Sequence, residues 1–205
     1  MSKNKDWSFL EKSDLANILP AVNDIETLYH FSSDNTVVQS CHLDFYGKNI
    51  RLLRLTQNNW RPEEDALWYV DMGDGYIINL DGDTSAIHEA NAGTGFKLNP
   101  DILRDYLKFR LFFEIRNNSR TLIVDDVEVL ELQKTKNIER VTSYIHPVTI
   151  ERNDDDTITA NAVVHYKDQL YMARYEISKQ GVVTEQKRSP LPLNIKITAS
   201  PKFSL

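Results

Sequence analysis

Cysteine is almost absent. Cys41 stands alone in 205 residues, which excludes an internal disulfide framework and suits a reducing compartment. Long apolar runs are missing too. The first ten residues, MSKNKDWSFL, carry charge but no apolar stretch of signal-peptide length. Nowhere do some 18 uncharged apolar residues follow one another, so no transmembrane helix and no membrane partner are expected, and the default location is the cytoplasm. A basic cluster is also lacking. With a formal net charge of −6 and both signs interspersed, a nucleic-acid partner is not expected. No phosphate loop, dinucleotide fingerprint, nucleophile elbow or zinc ligand set is present, and no cofactor is expected. The five histidines, His30, His42, His88, His146 and His165, are scattered without a second histidine at helical ligand spacing.

What is present suffices for a core: 41% apolar residues, 10% of the chain aromatic, at a length where roughly 70% of the unfolded surface is buried. Ser8-Phe9-Leu10-Glu11 has the form of a capping box. It would open a short helix ending near Leu19, ahead of Pro20, with Leu15, Ile18 and Leu19 on its apolar face. Strand-like runs follow at 25–31, 36–45 and 48–57. In the second, Val37, Cys41, Leu43 and Phe45 share one face while Ser40, His42 and Asp44 share the other. Residues 66–72 and 76–80 form a hairpin around Gly73-Asp74-Gly75, whose glycines supply the positive φ of a tight turn. Residues 81–95 are expected to be irregular.

The strongest single signal is a helix over 99–116. Asn99 is an N-cap, Pro100 suits the first position, Asp101 favours the positive end of the dipole, and Arg116-Asn117-Asn118 close the other end. Residues 121–125 follow as a buried strand, and 127–132 is ambiguous between strand and helix. Then come four runs at 142–151, 157–166, 169–178 and 182–188, a β-meander with turn chemistry between them. The segment beyond Ser189 is expected to run over the surface. The fold class is therefore α+β: a large curved antiparallel sheet of two meanders, packed around or against one long central helix, plus a short N-terminal helix. A single domain over 1–205 is favoured over two sub-domains at 1–98 and 99–190 with an extended tail at 191–205.

On the helix, Asp101, Arg104, Asp105 and Lys108 form a stripe expected to face solvent. Arg110 and Glu114 fall on the opposite, apolar face with Leu103, Tyr106 and Phe113. Two charges there need partners. They can pair with each other, being four residues apart, or line a cleft with Tyr106 where a polar ligand binds. His146 is the companion candidate, sharing a strand row with Tyr144, Val148 and Ile150. Trp60 with Arg61 is a candidate protein-binding anchor. Asp71, Asp74, Asp81 and Asp83 suit a hard cation, but their spacing misplaces the glycine and terminal glutamate of a calcium loop, and no metal is expected. Cys41 is expected to be a buried, inert thiol. No catalytic constellation assembles from adjacent sequence. The expected function is a non-enzymatic module binding a protein partner or small ligand, with homo-oligomer formation open. The alternative is a small pocket enzyme using His146 or Glu114 as base and Arg110 to hold an anionic group.

Overall fold

The computed structural model describes residues 7–61, 65–130, 138–193, 196–199 and 203. The protein is α+β, with two antiparallel sheets and four α-helices among the described residues. The strands are thus shared between two sheets rather than joined in one. The chain divides into two compact units, the first running to Phe96 and the second spanning Lys97–Phe203.

The first unit holds β1 (Ser8–Phe9), α1 (Lys12–Ile25), β2 (Thr36–His42), β3 (Arg51–Gln57), β4 (Leu67–Asp71), β5 (Ile77–Asn79) and α2 (Thr84–Thr94). Its strands pair in chain order. The expected capping box is instead a strand. Ser8 and Phe9 pair with Ser40 and Gln39, and α1 begins at Lys12 behind an extended Glu11 that makes no side-chain cap. Nor does Pro20 end the helix. Leu15, Ile18, Leu19 and Val22 form one buried row at helical spacing, and burying that row outweighs the single backbone bond proline removes. Pro20 itself faces solvent.

Residues 26–31 form no strand. Their backbone groups are taken by side chains instead: Leu28 N–H donates to Glu26 Oε1 (2.9 Å), while Asn23 bonds both the N–H and the C=O of Phe31. The stretch at 81–95, expected to be irregular, is largely α2. Asp83 caps it by accepting from Ser85 N–H at 2.7 Å, and Gly95 ends it at φ 61°, a left-handed conformation that glycine adopts without strain. In the 36–45 run the expected alternation holds from Cys41 onward, where Cys41, Leu43 and Phe45 are buried and His42 and Asp44 are exposed, and it is reversed before that point. Val38, Ser40 and Cys41 are all buried, whereas Val37 is 37% exposed. Ser40 and Cys41, neighbours on opposite faces, are both buried, and the alternation changes side between them. The 73–75 turn is as expected, with all three residues at positive φ.

The second unit contains α3 (Pro100–Phe113), β6 (Thr121–Ile123), a 3₁₀ turn at Val127–Val129, α4 (Ile138–Thr142), β7 (Thr149–Arg152), β8 (Ile158–Tyr166), β9 (Gln169–Ile177) and β10 (Val183–Pro190). Strands β8, β9 and β10 are the meander, and β6 and β7 share the other edge of β8. Asn99 caps α3 by accepting from Asp101 N–H (3.0 Å), as its sequence implies. The helix stops at Phe113, and Asn117-Asn118, both at positive φ, turn the chain back so that Arg116 and Ser119 pair. Residues 142–148 are turns after α4, not strand. The ambiguous 127–132 segment is the 3₁₀ turn through Val129, then an extended Leu130 bridged to Ala199, with residues 131–132 outside the described set.

The expected solvent stripe on α3 is partly buried. Arg104 and Lys108 both pair with Asp125, whose side chain is 2% exposed. The C-terminal segment also departs from expectation. Ile197 and Phe203 are buried, and Phe203 stacks on Phe109, Phe112 and Phe113 at 5.0–6.5 Å. His165 fixes Ile197, its Nε2 lying 2.8 Å from the Ile197 carbonyl. Apolar residues there return to the core because burying each ring or branched side chain is worth roughly 1.5–3 kcal/mol.

Burial lowers the His165 pKa below its ordinary 6.5, outweighing the bond to Ile197 and the Asp168 charge. The folded state therefore resists protonating a ring that the unfolded chain protonates readily. Its contribution is complete above about pH 6.5 and is lost as pH falls toward the lower folded value. Urea denaturation between pH 7.5 and 5 should show stability falling, with a shallower fall in His165→Gln; equal slopes would show that His165 does not carry the effect.

Candidate functional site

Three places are brought forward by the sequence, and the structure adds a fourth. Tyr106 is fully buried and donates its hydroxyl proton to the Gly181 carbonyl at 2.6 Å. Arg110, 3% exposed, donates from Nη1 to Glu114 Oε2 at 2.6 Å. Glu114 Oε1 accepts from Arg116 Nε at 2.7 Å. Through Arg116 this pair continues to Glu185, 3.9 Å away, and Glu185 in turn binds Arg188. Charges alternate along the row, so each carboxylate lies between two guanidinium groups. Tyr175 lies beside Glu185 and Arg188, and burial pushes its phenol up to about 12. The Arg110 Nε has no hydrogen-bond partner among the described residues, but it is also sealed from solvent, so there is no room beside it for a ligand atom.

His146 is not in a strand. It is half-buried, and its hydrogen bond is local, from Nδ1 to the Pro147 carbonyl at 3.1 Å. No hydrogen bond among the described residues joins it to Arg110 or Glu114. Trp60 folds back onto the first unit's core, edge-to-face with Tyr29 at 4.8 Å and Phe31 at 6.1 Å. Arg61 beside it is exposed and pairs with Asp65 at 3.1 Å. Cys41 is buried and forms no disulfide. Among the described residues no group of three or more His, Cys, Asp or Glu side chains is arranged to hold a metal, and Asp81 and Asp83 act instead on the backbone at the start of α2.

The fourth place is a cleft of about 640 Å³ in the first unit. Strand register builds its wall. His42 pairs with Arg51, Arg51 with Asp71, and Asp71 with Ile77, so four side chains from four strands fall in one row. Two rows further along the same face lie Val38, Leu55 and Leu67, covered by α1. The polar row lies where that cover ends, and Asn17 and Ile18 of α1 form the facing wall. Lys48, Asn49 and the 73–75 turn complete it.

Asp71 is 5% exposed and fully engaged. Its Oδ2 accepts from Arg51 Nε (3.1 Å) and Nη2 (2.7 Å), and its Oδ1 accepts from Gly73 N–H (2.9 Å). Arg51 is thereby fixed with its second terminal nitrogen unengaged among the described residues. His42, Lys48 and Asp74 likewise have no hydrogen-bond or ion-pair partner there. The cleft thus offers cationic donors and one carboxylate, with a buried carboxylate as anchor. It has no nucleophile paired with a base. His42, Asp71 and Asp74 stand out separately in the sequence, whereas Arg51 and Lys48 do not, because only the register of three strands and the turn before β3 bring them together.

No protein-family model, curated protein or solved structure matches the chain.

If Arg110 and Glu114 serve the core rather than a ligand, Glu114→Gln should cost about 3 kcal/mol, the usual penalty for stranding one member of a buried pair. The double variant Arg110→Met, Glu114→Leu should recover most of that loss in urea denaturation. A double variant as unstable as the single one would contradict a purely structural role.

Proposed function

We propose that the protein is a non-enzymatic binding module whose first-unit cleft takes a small polar ligand carrying charges of both signs. The observation that carries this is the fixed Arg51 at a concave site beside Lys48, His42 and Asp74, none of which is used elsewhere among the described residues. Arg51 and Lys48 suit a carboxylate, and Asp74 suits an ammonium group. Net charge favours the zwitterion over a simple anion. Residues 1–96 hold fifteen acidic side chains against seven basic ones, a field that repels an uncompensated negative charge.

Two observations support a small ligand over the other expected roles. Arg110 and Glu114, the groups a pocket enzyme would need, bind each other. Trp60, the expected partner anchor, packs inward.

Free amino acids are direct probes. In thermal-shift titrations at least one should raise the melting temperature, where acetate and methylammonium at equal concentration do not. Lys48→Ala with Asp74→Asn should weaken that response about tenfold, two charge contacts at up to about 1 kcal/mol each, without lowering the unliganded melting temperature. A response unchanged in the double variant, or no response to any amino acid, would rule the proposal out.

A further inference from the structure

The second unit has its own cleft, about 270 Å³, lined by Lys97, Leu98, Pro100, Arg152, Asp156, Ile158 and Lys179. Its floor is apolar, made by Leu98, Pro100 and buried Ile158. Its rim carries three cations against one carboxylate. Arg152 Nη2 and Lys179 Nζ each lie 2.8 Å from Asp156, one on each oxygen. Both cations are thus already gathered within the span of a single carboxylate. Lys97 has no partner among the described residues.

The turn that holds Asp156 is well defined. Asp156 N–H donates to the Asn153 carbonyl (3.2 Å), Asn153 N–H donates to the Thr157 carbonyl (2.9 Å), and Asp156 has φ 64°. Lys179 and Arg152 hold its carboxyl below the usual range, so it stays charged and keeps the cations converged. The neighbouring acids do not compete for the cleft: Asp155 is turned to the N–H and hydroxyl of Thr157, and neither it nor Asp154 lines the cleft. The first turn of α3 is already capped by Asn99, so the cations, not the helix end, define the site.

We propose that this cleft binds a small organic phosphate, its apolar or aromatic body on Leu98, Pro100 and Ile158 and its phosphoryl group among Lys97, Arg152 and Lys179. Three cations less the Asp156 charge leave two positive charges, which a phosphoryl dianion matches. A monocarboxylate leaves one of them unmatched. The site is independent of the first-unit cleft.

Phenyl phosphate is the probe, titrated into the full chain by calorimetry in chloride-matched buffer, with benzyl alcohol as the uncharged comparison. Asp156→Asn keeps a residue type that tolerates positive φ and releases both cations, so it should bind phenyl phosphate roughly fivefold tighter, the worth of one exposed charge contact. Arg152→Gln with Lys179→Gln should bind it at least about tenfold more weakly. Benzyl alcohol should bind to none of the three. Chemical-shift changes in the unmutated chain should fall on residues 97–100, 152–158 and 179. A gain in affinity cannot come from misfolding, so Asp156→Asn is the deciding variant. No gain there, equal affinity in the double variant, or no binding of phenyl phosphate to any form would overturn the proposal.

Discussion

Asp71 accepts three hydrogen bonds inside the first unit, two from Arg51 and one from Gly73 N–H, and the cleft depends on them. A carboxyl group at 5% exposure has lost its water and needs such donors in exchange. Those donors have geometric consequences. The bond to Gly73 fixes the start of a turn whose three central residues all have positive φ, and so positions Asp74. The bonds to Arg51 immobilise a long cationic side chain that would otherwise lose rotamer entropy on meeting a ligand. One buried charge therefore pre-organises both signs of the site.

The buried charges of the second unit follow the same rule with a different result. Asp125 takes both Arg104 and Lys108, and Arg110 takes Glu114. Each of these groups finds its partner within the fold, and none of them lines the cleft of the second unit. Whether a charged residue is structural or available is thus decided by its partners more than by its position on an apolar face. Arg110 and Glu114 stand out in the sequence because they interrupt a hydrophobic stripe. Lys48 does not stand out, since a lysine after a glycine is ordinary.

Much of the fold was legible where local chemistry and tertiary packing agree. The N-cap of α3, the 73–75 hairpin and the β8–β9–β10 meander all follow from residues a few positions apart. The failures occurred where distant residues overrode local signals. Ser8 resembles a helix cap but has Ser40 as its strand partner. Pro20 resembles a helix stop but lies behind a continuous buried face. Residues 25–31 have strand composition, but Ile25 ends α1 and Leu28 and Phe31 find their hydrogen bonds in Glu26 and Asn23. The α2 signals, Asp83 and Gly95, were in plain view and were masked by the loop-like composition between them. The candidate cleft was the least legible part, because His42, Arg51 and Asp71 meet through a register that no single strand encodes.

The central claim is that Asp71 holds the turn and Arg51 together as one binding surface, and hydrogen exchange on Asp71→Asn tests it most directly. The account predicts faster exchange at the Gly73 amide and along the β3–β4–β5 ladder near Arg51, unchanged protection in α1, and loss of the amino-acid response. Wild-type protection at Gly73 together with an undiminished response would contradict it.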